Sequence, residues 1–317
     1  MPPQIESEPL RIIFFGSSNF ALPTLQALTS GPDQLVLVVT SPPAPSGRGQ
    51  ALTSTTVSVA AREAGLPVLE TDAVNSFEII ETIERFRPDL LTIAAFGGFL
   101  GSRLLDLGFT PPMNIHPSLL PKHRGPAPVN WTIISGDQEC GVSICFTELK
   151  IDAGPVLAQK SRSVPEGMSA GALEAILAED GAALLMETIH KLKSDSLVAK
   201  PQNEEAANFN RLMTKKDGRL DFTRPAQELA SLVNGVDPWP GAQAKSDEKL
   251  YKFYGARARD GQGQPGQVMG LDDEGRLTIG TGSGILTIEE IQPEGRLRLP
   301  AADFCRGYRI SGFESLS

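Results

Sequence analysis

The stretch Arg11–Val39, RIIFFGSSNFALPTLQALTSGPDQLVLVV, contains one complete strand–helix–strand unit. The run Arg11–Phe15, which is apolar after its first residue, predicts a short buried strand, which the following glycine ends. Leucines recur at helical spacing within Phe20–Leu28, and the apolar run Val36–Val39 predicts a second strand. A strand, a helix and another buried strand in this order are typical of a parallel sheet with crossover helices.

The same alternation continues to residue 192. Helical patterns occupy Val57–Ala64, Phe77–Phe86, Pro128–Ser135 and Ala170–Leu192. Strand patterns occupy Leu90–Ala95, Met113–His116, Val142–Phe146 and Val156–Gln159. This rhythm predicts an α/β domain with an open, mostly parallel, Rossmann-like sheet that helices cover on both faces. Ligands of such sheets bind at the carboxyl ends of the strands.

The C-terminal part of the chain has a different pattern. The polar segment Pro201–Asn210 predicts a linker, and short strands separated by glycines follow it. These strands include Val268–Met269, Leu277–Ile279 and Ile285–Ile288. The pattern predicts a small antiparallel β-barrel of the OB-like type. We therefore expect an α/β domain over residues 1–207 and a β-barrel domain over residues 208–317.

The composition is that of a folded protein, with 40% hydrophobic and 21% charged residues among 317. The formal net charge is −9, so any binding of nucleic acid must depend on a local basic patch. No run approaches the roughly 18 consecutive apolar residues of a transmembrane helix, and we expect no membrane partner.

The chain has only three cysteines and three histidines. An odd number of cysteines without paired spacing argues against a disulfide framework, and so few ligands argue against a metal site. Cys140 and Cys145 flank a strand and are predicted to be core or half-buried residues. The N-terminal residues lack the pattern of a secretory or transit peptide, so we expect a bacterial-type cytoplasmic location. A processed mitochondrial matrix protein would have the same sequence features.

Two polar residues stand at the end of the predicted strand Met113–His116. Asn114 and His116 are two residues apart, so their side chains point the same way while Ile115 faces the opposite side. Pro117 ends the strand and leaves both side chains at its carboxyl end, where an open α/β sheet binds ligands. An imidazole beside a carboxamide can act as a general base next to an oxyanion donor.

The segment Asn114–Gly125 reads NIHPSLLPKHRG. Together with Asp152 downstream, it resembles the signature of the folate-dependent formyltransferases, Asn-x-His-x-Ser-Leu-Leu-Pro-x-x-Arg-Gly, at every fixed position. The resemblance extends along the chain, because Phe14–Ala21 is similar to the family's opening strand and turn, and Ala301–Phe304 to its C-terminal domain. Within the family, the branch that formylates methionyl-tRNA is the most similar.

The resemblance implies transfer of the formyl group of 10-formyltetrahydrofolate to the α-amino group of methionine on initiator tRNA. The first domain would be the catalytic domain and the second would bind tRNA, in a monomer that needs no metal. The catalytic residues that it implies are Asn114, His116 and Asp152. In that chemistry Asn114 stabilises the oxyanion, His116 accepts a proton from the attacking amine, and Asp152 orients the imidazole and stabilises its protonated form.

The resemblance also implies binding residues. Those for folate are Ser118, Leu119, Leu120 and Pro121, and the one for tRNA is Arg48. Arg48 lies in the sequence Gly-Arg-Gly of an insertion between Thr40 and Val57. His123, which lies beyond the strand, is predicted to have a surface or loop role.

Two other functions remain open at this point. A nucleotide-sugar amine formyltransferase of the same superfamily would use the same chemistry without a nucleic-acid partner. The insertion that contains Arg48 and the C-terminal segment Ala301–Phe304 favour the tRNA substrate. The third possibility is a folate-binding relative without activity, and the intact set Asn114, His116 and Asp152 argues against it.

Overall fold

The computed structural model describes residues 8–46, 50–308 and 310–316, so Arg48 lies outside the described residues. The chain forms two compact units. The first unit consists of Met1–Arg124, Gly141–Ser161 and Glu174–Phe209. The second unit consists of Gly125–Cys140, Arg162–Leu173 and Asn210–Ser317.

Fifteen strands and eight α-helices make up the described part of the chain. The strands are β1 Arg11–Gly16, β2 Gln34–Thr40, β3 Ala44–Ser46, β4 Ala51–Thr53, β5 Val68–Glu70, β6 Leu90–Ala94, β7 Met113–His116, β8 Glu139–Phe146, β9 Val156–Ser163, β10 Ala242–Ser246, β11 Lys249–Arg259, β12 Val268–Leu271, β13 Leu277–Gly280, β14 Ile285–Pro293 and β15 Leu299–Pro300. The helices are α1 Leu22–Ser30, α2 Thr56–Glu63, α3 Phe77–Glu84, α4 Ser102–Leu105, α5 Pro128–Ile134, α6 Ala170–Lys193, α7 Ala226–Gly235 and α8 Ala301–Gly307.

The larger sheet has the strand order β5-β2-β1-β6-β7-β8-β9. The five strands from β5 to β7 pair in parallel, whereas β8 pairs with β7 in the antiparallel direction. Strands β2 and β5 lie on one side of β1, and β6 and β7, which come later in the chain, lie on the other side of β1. This confirms the predicted open, mostly parallel sheet. The strand order reverses between β1 and β6, and β7 is the next strand beyond β6.

Local sequence explains why these elements form. Ile12, Ile13, Phe14 and Phe15 in β1 are all at most 1% exposed, as expected for a central strand that is covered on both faces. Helix α2 begins where the side chain of Thr55 accepts a hydrogen bond from the backbone N–H of Ser58, and α3 begins with the same kind of cap.

Helix α6 lies directly against the strand that carries the candidate site residues. A Cβ atom added to Gly181 would lie 2.6 Å from the Cγ2 atom of Ile115 in β7, so only glycine allows this close approach. Ile115 is 2% exposed and fills the helix-facing side of the strand. Asn114 and His116 alternate with it and therefore lie on the opposite side of β7.

The second unit contains an antiparallel sheet of order β10-β11-β14-β13-β12, with β15 beside β14. The ladder runs as an open path, and the C-terminal segment bridges the region between its ends. Glu314 pairs with Lys245 of β10, and Gly312 pairs with Gln267 just before β12. The predicted small antiparallel β domain is therefore confirmed. Among the described residues, single bridges to the C-terminal segment, and no continuous ladder, connect the two edges of the sheet as closure of a barrel would require.

The insertion between β2 and α2 forms a short hairpin. Its strands β3 and β4 pair in the antiparallel direction and flank the residues 47–49 that are outside the description. Among the helices in the described ranges, none combines the length and the hydropathy needed to cross a bilayer.

Candidate active site

Strand β7 places two of the predicted site residues at its carboxyl end. Asn114 pairs with Ile93 of β6 and Cys145 of β8, and is half-buried. His116 is 5% exposed. Within the described ranges the carboxamide of Asn114 makes no hydrogen bond, so its N–H groups are available as donors on the side of the sheet that also carries His116.

Asp152 comes to the same place from the loop between β8 and β9. Its Oδ2 atom lies 3.6 Å from Nδ1 of His116, and its side chain is 14% exposed. The backbone of Asp152 has a φ of 50°, in the left-handed region, so a tight turn aims the carboxylate at the imidazole. The structure thus brings together two residues that are 36 positions apart in the chain.

The other ring nitrogen of His116 is held by the backbone. Nε2 lies 2.9 Å from the carbonyl oxygen of His123. Because a carbonyl oxygen only accepts, Nε2 carries the hydrogen and donates it. In the neutral ring the lone pair is therefore on Nδ1, the atom that faces Asp152.

The two ring nitrogens of His116 face two different kinds of oxygen, a backbone carbonyl and a carboxylate. The carbonyl of His123 fixes the orientation of the ring, whereas Asp152 at 3.6 Å lies beyond normal N–H···O hydrogen-bond length. A proton on Nδ1 would make the ring an imidazolium, and this cation would be attracted to the carboxylate of Asp152. The geometry therefore leaves Nδ1 able to accept a proton beside the Asp152 carboxylate.

The turn after Asp152 depends on a glycine. A Cβ atom added to Gly154 would lie 2.0 Å from the carbonyl oxygen of Phe146, so any other residue would push the loop away from β8. The Asp-Ala-Gly sequence at residues 152–154 therefore has a steric reason, because the glycine lets the loop approach the strand next to β7.

The predicted folate segment forms a loop whose polar groups are mostly used inside the protein. The hydroxyl of Ser118 donates to the carbonyl of Lys122 at 2.6 Å. The backbone N–H of Leu120 donates to Ser143 at 3.1 Å, and its carbonyl accepts from Gln159 at 2.9 Å. Ser118 and Leu120 are buried, whereas Leu119 and Pro121 are half-buried. What this rigid loop offers to a ligand is apolar surface from Leu119 and Pro121.

The buried cysteines are structural. Cys140 and Cys145 are 3% and 1% exposed, which confirms their prediction as core residues. Burial raises the pKa of the Cys145 thiol far above its ordinary value. The thiol beside Asn114 in the sheet is therefore protonated and does not act as a nucleophile.

Loop residues that follow β7 are more buried than their sequence suggests. His123 lies in a loop, as predicted, but is 4% exposed and not at the surface. Arg124 is 0% exposed and its guanidinium donates to Gln202 and Glu204. The sequence does not identify Gln202 or its neighbours as functional, because a polar segment without a motif predicts only a linker. Across the described residues there is no group of three His, Cys, Asp or Glu side chains that could hold a metal ion.

Solved structures share this fold. HypX from Aquifex aeolicus in complex with tetrahydrofolic acid has a TM-score of 0.63 and 20% identity, over 98% of this chain and 51% of that chain. WlaRD, a sugar 3N-formyl transferase in the presence of dTDP and 5-N-formyl-THF, has a TM-score of 0.65 and 16% identity, over 92% of this chain and 100% of that chain. At such identities the similarity establishes the fold alone.

Sequence comparison gives closer relatives over the whole length. Residues 10–189 match the formyl transferase family, and residues 212–309 match the formyl transferase C-terminal domain. The methionyl-tRNA formyltransferase of Geotalea daltonii is 39% identical over 302 residues, which cover 95% of this chain and 96% of the relative. That of Desulfotalea psychrophila is 42% identical over 311 residues, which cover 97% and 96%. The chain therefore belongs to the formyl transferase family, in which these curated relatives are methionyl-tRNA formyltransferases.

Proposed function

We propose that this enzyme transfers the formyl group of 10-formyltetrahydrofolate to the α-amino group of methionine on initiator methionyl-tRNA, giving N-formylmethionyl-tRNA. The observation that carries the proposal is the convergence of Asn114, His116 and Asp152 at the end of β7, in a chain whose relatives over at least 95% of its length bear that activity in their name. The catalytic domain would be residues 1–207 and the tRNA-binding domain residues 208–317.

In this reaction His116 is the proton acceptor. The attacking amine must lose a proton as its nitrogen bonds to the formyl carbon, and Nδ1 of His116 has the free lone pair. Asp152, 3.6 Å away, stabilises the imidazolium that results. The proton later leaves Nδ1 for the nitrogen from which the formyl group departs, so that the ring returns to its starting state.

Asn114 stabilises the formyl oxygen. That oxygen gains negative charge as the amine attacks, and a carboxamide N–H that makes no hydrogen bond in the described protein can donate to it. Loss of one such donor typically costs about 3 kcal/mol of transition-state stabilisation. Alternate residues of a strand lie about 6.6 Å apart, so Asn114 and His116 can engage opposite sides of one reacting carbon.

The loop after β7 suits a folate cosubstrate. Folate supplies the formyl group on a nitrogen that is a good leaving group, so the chemistry needs no metal. The residues Ser118, Leu119, Leu120 and Pro121 would line its site. Internal hydrogen bonds fix this segment, and Leu119 and Pro121 present apolar surface that can pack against a flat heterocyclic ring.

Binding of tRNA would depend on a few local contacts, because the net charge of the chain is −9. Arg48, in the sequence insertion between Thr40 and Val57, is one proposed contact. In the second unit, Arg257 and Arg259 lie 3.6 and 3.2 Å from carboxylate oxygens, and Lys252 donates to a backbone carbonyl. Lys249 is exposed and has no ion-pair partner among the described residues, so it is the most available cation of this group.

A sugar-amine substrate is the competing possibility, since solved structures with this fold include sugar formyltransferases. WlaRD is only 16% identical to this chain, whereas the two methionyl-tRNA formyltransferases described above are 39% and 42% identical over nearly its full length. The tRNA substrate is therefore favoured. The monomeric state and the cytoplasmic location stay predictions.

A parallel assay tests the choice of substrate. Purified enzyme and 10-formyltetrahydrofolate are incubated with either initiator methionyl-tRNA or a dTDP-linked amino sugar, and the formylated product is measured. We expect methionyl-tRNA to be formylated at least about 100-fold faster, as for a substrate whose binding energy is used in catalysis. The H116A variant controls for uncatalysed transfer. Faster formylation of the amino sugar would overturn the proposal.

A further inference from the structure

Residues 202–209, QNEEAANF, cross the first unit next to the candidate site, and we call them the strap. Backbone hydrogen bonds fix both of its ends. Just before it, Lys200 exchanges two backbone hydrogen bonds of 2.8 Å with Val156. Near its end, the carbonyl of Asn208 accepts a hydrogen bond of 3.0 Å from the backbone N–H of Arg124. The strap is thus anchored without the help of the side chains that face the site.

Gln202 holds the loop that carries the catalytic carboxylate. Its Nε2 atom donates to the carbonyl oxygens of Asp152 and Gly154, at 2.8 and 2.7 Å. Its Oε1 atom accepts from Nε and Nη2 of Arg124, at 3.0 and 2.8 Å. Both amide hydrogens and the amide oxygen are in use, so only a carboxamide satisfies all of these partners.

The buried guanidinium of Arg124 keeps the Gln202 amide in this orientation. Arg124 is 0% exposed and also donates to Glu204 of the strap at 2.7 Å. Glu204 in turn accepts from Lys150, in the same turn as Asp152. Hydrogen bonds from Arg124 and Lys150 hold the pKa of Glu204 at about 2, so its carboxylate is charged at neutral pH.

Asn208 acts on the other half of the site. Its Oδ1 atom accepts the backbone N–H of His123 at 2.5 Å. His123 has a φ of 57°, and the carbonyl of the same residue accepts the Nε2 hydrogen of His116 at 2.9 Å. Asn208 thereby holds the turn whose carbonyl sets the tautomer and the orientation of the catalytic imidazole.

We propose that Gln202 and Asn208 are positioning residues that together set the distance between Nδ1 of His116 and the carboxylate of Asp152. Gln202 fixes the carboxylate and Asn208 fixes the imidazole, and the strap joins the two in one continuous segment. This inference rests on the proposed catalytic roles of His116 and Asp152. Displacement of a catalytic group by about 1 Å can lower the reaction rate about 100-fold, so loss of the contacts that position such a group should lower kcat.

Steady-state kinetics of four single variants test the proposal. We expect Q202A and N208A each to lower kcat about 10- to 100-fold, with the KM values for both substrates changed less than about threefold. Asn208→Asp keeps an Oδ acceptor for the His123 N–H and should retain kcat within about threefold, whereas Q202E loses both donors and should behave like Q202A. Glu205→Ala is the matched control, because this exposed strap side chain makes none of these contacts.

Nitrogen-15 NMR of the imidazole provides a readout that a merely structural role would not change. With only three histidines in the chain, the His116 signals are assigned from a His116 variant. The wild-type ring should show the Nε2–H tautomer, and the ring in folded N208A should show a mixture. Melting curves establish that each variant is folded.

The outcomes separate this inference from the catalytic proposal. If H116A and D152N keep normal turnover, the proposed catalytic roles are wrong. If those variants are impaired while Q202A and N208A match Glu205→Ala, the catalytic roles stand and the positioning role is refuted. An unchanged His116 tautomer in N208A, or failure of Asn208→Asp to retain activity, also refutes it.

Discussion

Replacing Asp152 with asparagine removes one negative charge and keeps the shape of the side chain. In the proposed reaction the carboxylate stabilises the imidazolium of His116, and that cation exists only after the amine has given up its proton. The Asp152→Asn substitution should therefore slow the chemical step and leave the binding of both substrates nearly unchanged.

The structure gives the size of this effect. At 3.6 Å, two unit charges attract by about 4–5 kcal/mol at an effective dielectric constant of about 20, and by about 1 kcal/mol in bulk water. The side chains of His116 and Asp152 are only 6% and 14% exposed, so the value is nearer to the upper figure. Each 1.36 kcal/mol is a factor of ten in rate, so we expect kcat to fall at least about 100-fold.

Single-turnover formylation with saturating 10-formyltetrahydrofolate and methionyl-tRNA measures this step directly. Glu148→Gln is the matched control, since Glu148 is an exposed carboxylate four residues earlier in the same loop. Circular dichroism confirms that both variants are folded. A D152N rate within about threefold of the wild-type rate would refute the role of this charge, because even bulk-water attraction predicts a larger loss.

Three further predictions concern other parts of the chain. N114A should lower kcat by about 100-fold and raise the folate KM little, because loss of an oxyanion contact costs about 3 kcal/mol of transition-state stabilisation. A raised KM with normal kcat would contradict this prediction. G154A should lower the free energy of unfolding in urea by at least about 1–3 kcal/mol, since its Cβ would lie 2.0 Å from a backbone oxygen. R48A should flatten the slope of log affinity for methionyl-tRNA against log salt by about one unit, and an unchanged slope would exclude the insertion as a tRNA contact.

Local sequence signals predicted the elements that position the site. The strand predicted at Met113–His116 has the same bounds in the structure, because an apolar alternation leads into Pro117, which cannot continue the ladder. The strand predicted at Arg11–Phe15 is one residue longer in the structure. Both predictions depended on residues that are close in sequence, for which periodicity is a direct physical signal.

The contacts around His116 and Asp152, the proposed catalytic pair, were not predictable in the same way. Gln202 bonds to a loop 50 residues away, and Asn208 to a residue 85 positions away. A polar residue in a segment without periodicity has the same appearance whether it faces water or holds a catalytic loop. The burial of His123 was missed for a related reason, because it depends on a left-handed turn that no glycine marks.

The hydrogen bond between Nε2 of His116 and the His123 carbonyl restricts how substrates can approach. Because that nitrogen donates to the carbonyl in the structure, the proposed reaction uses Nδ1, on the side where Asp152 lies, to accept the amine proton. The formyl oxygen must at the same time reach Asn114, about 6.6 Å along the strand from His116. We therefore propose that the amine of methionine enters between the end of β7 and the Asp152 loop, with the folate formyl group on the Asn114 side. In this proposal the tautomer of one imidazole, which a backbone carbonyl sets, determines the direction of attack.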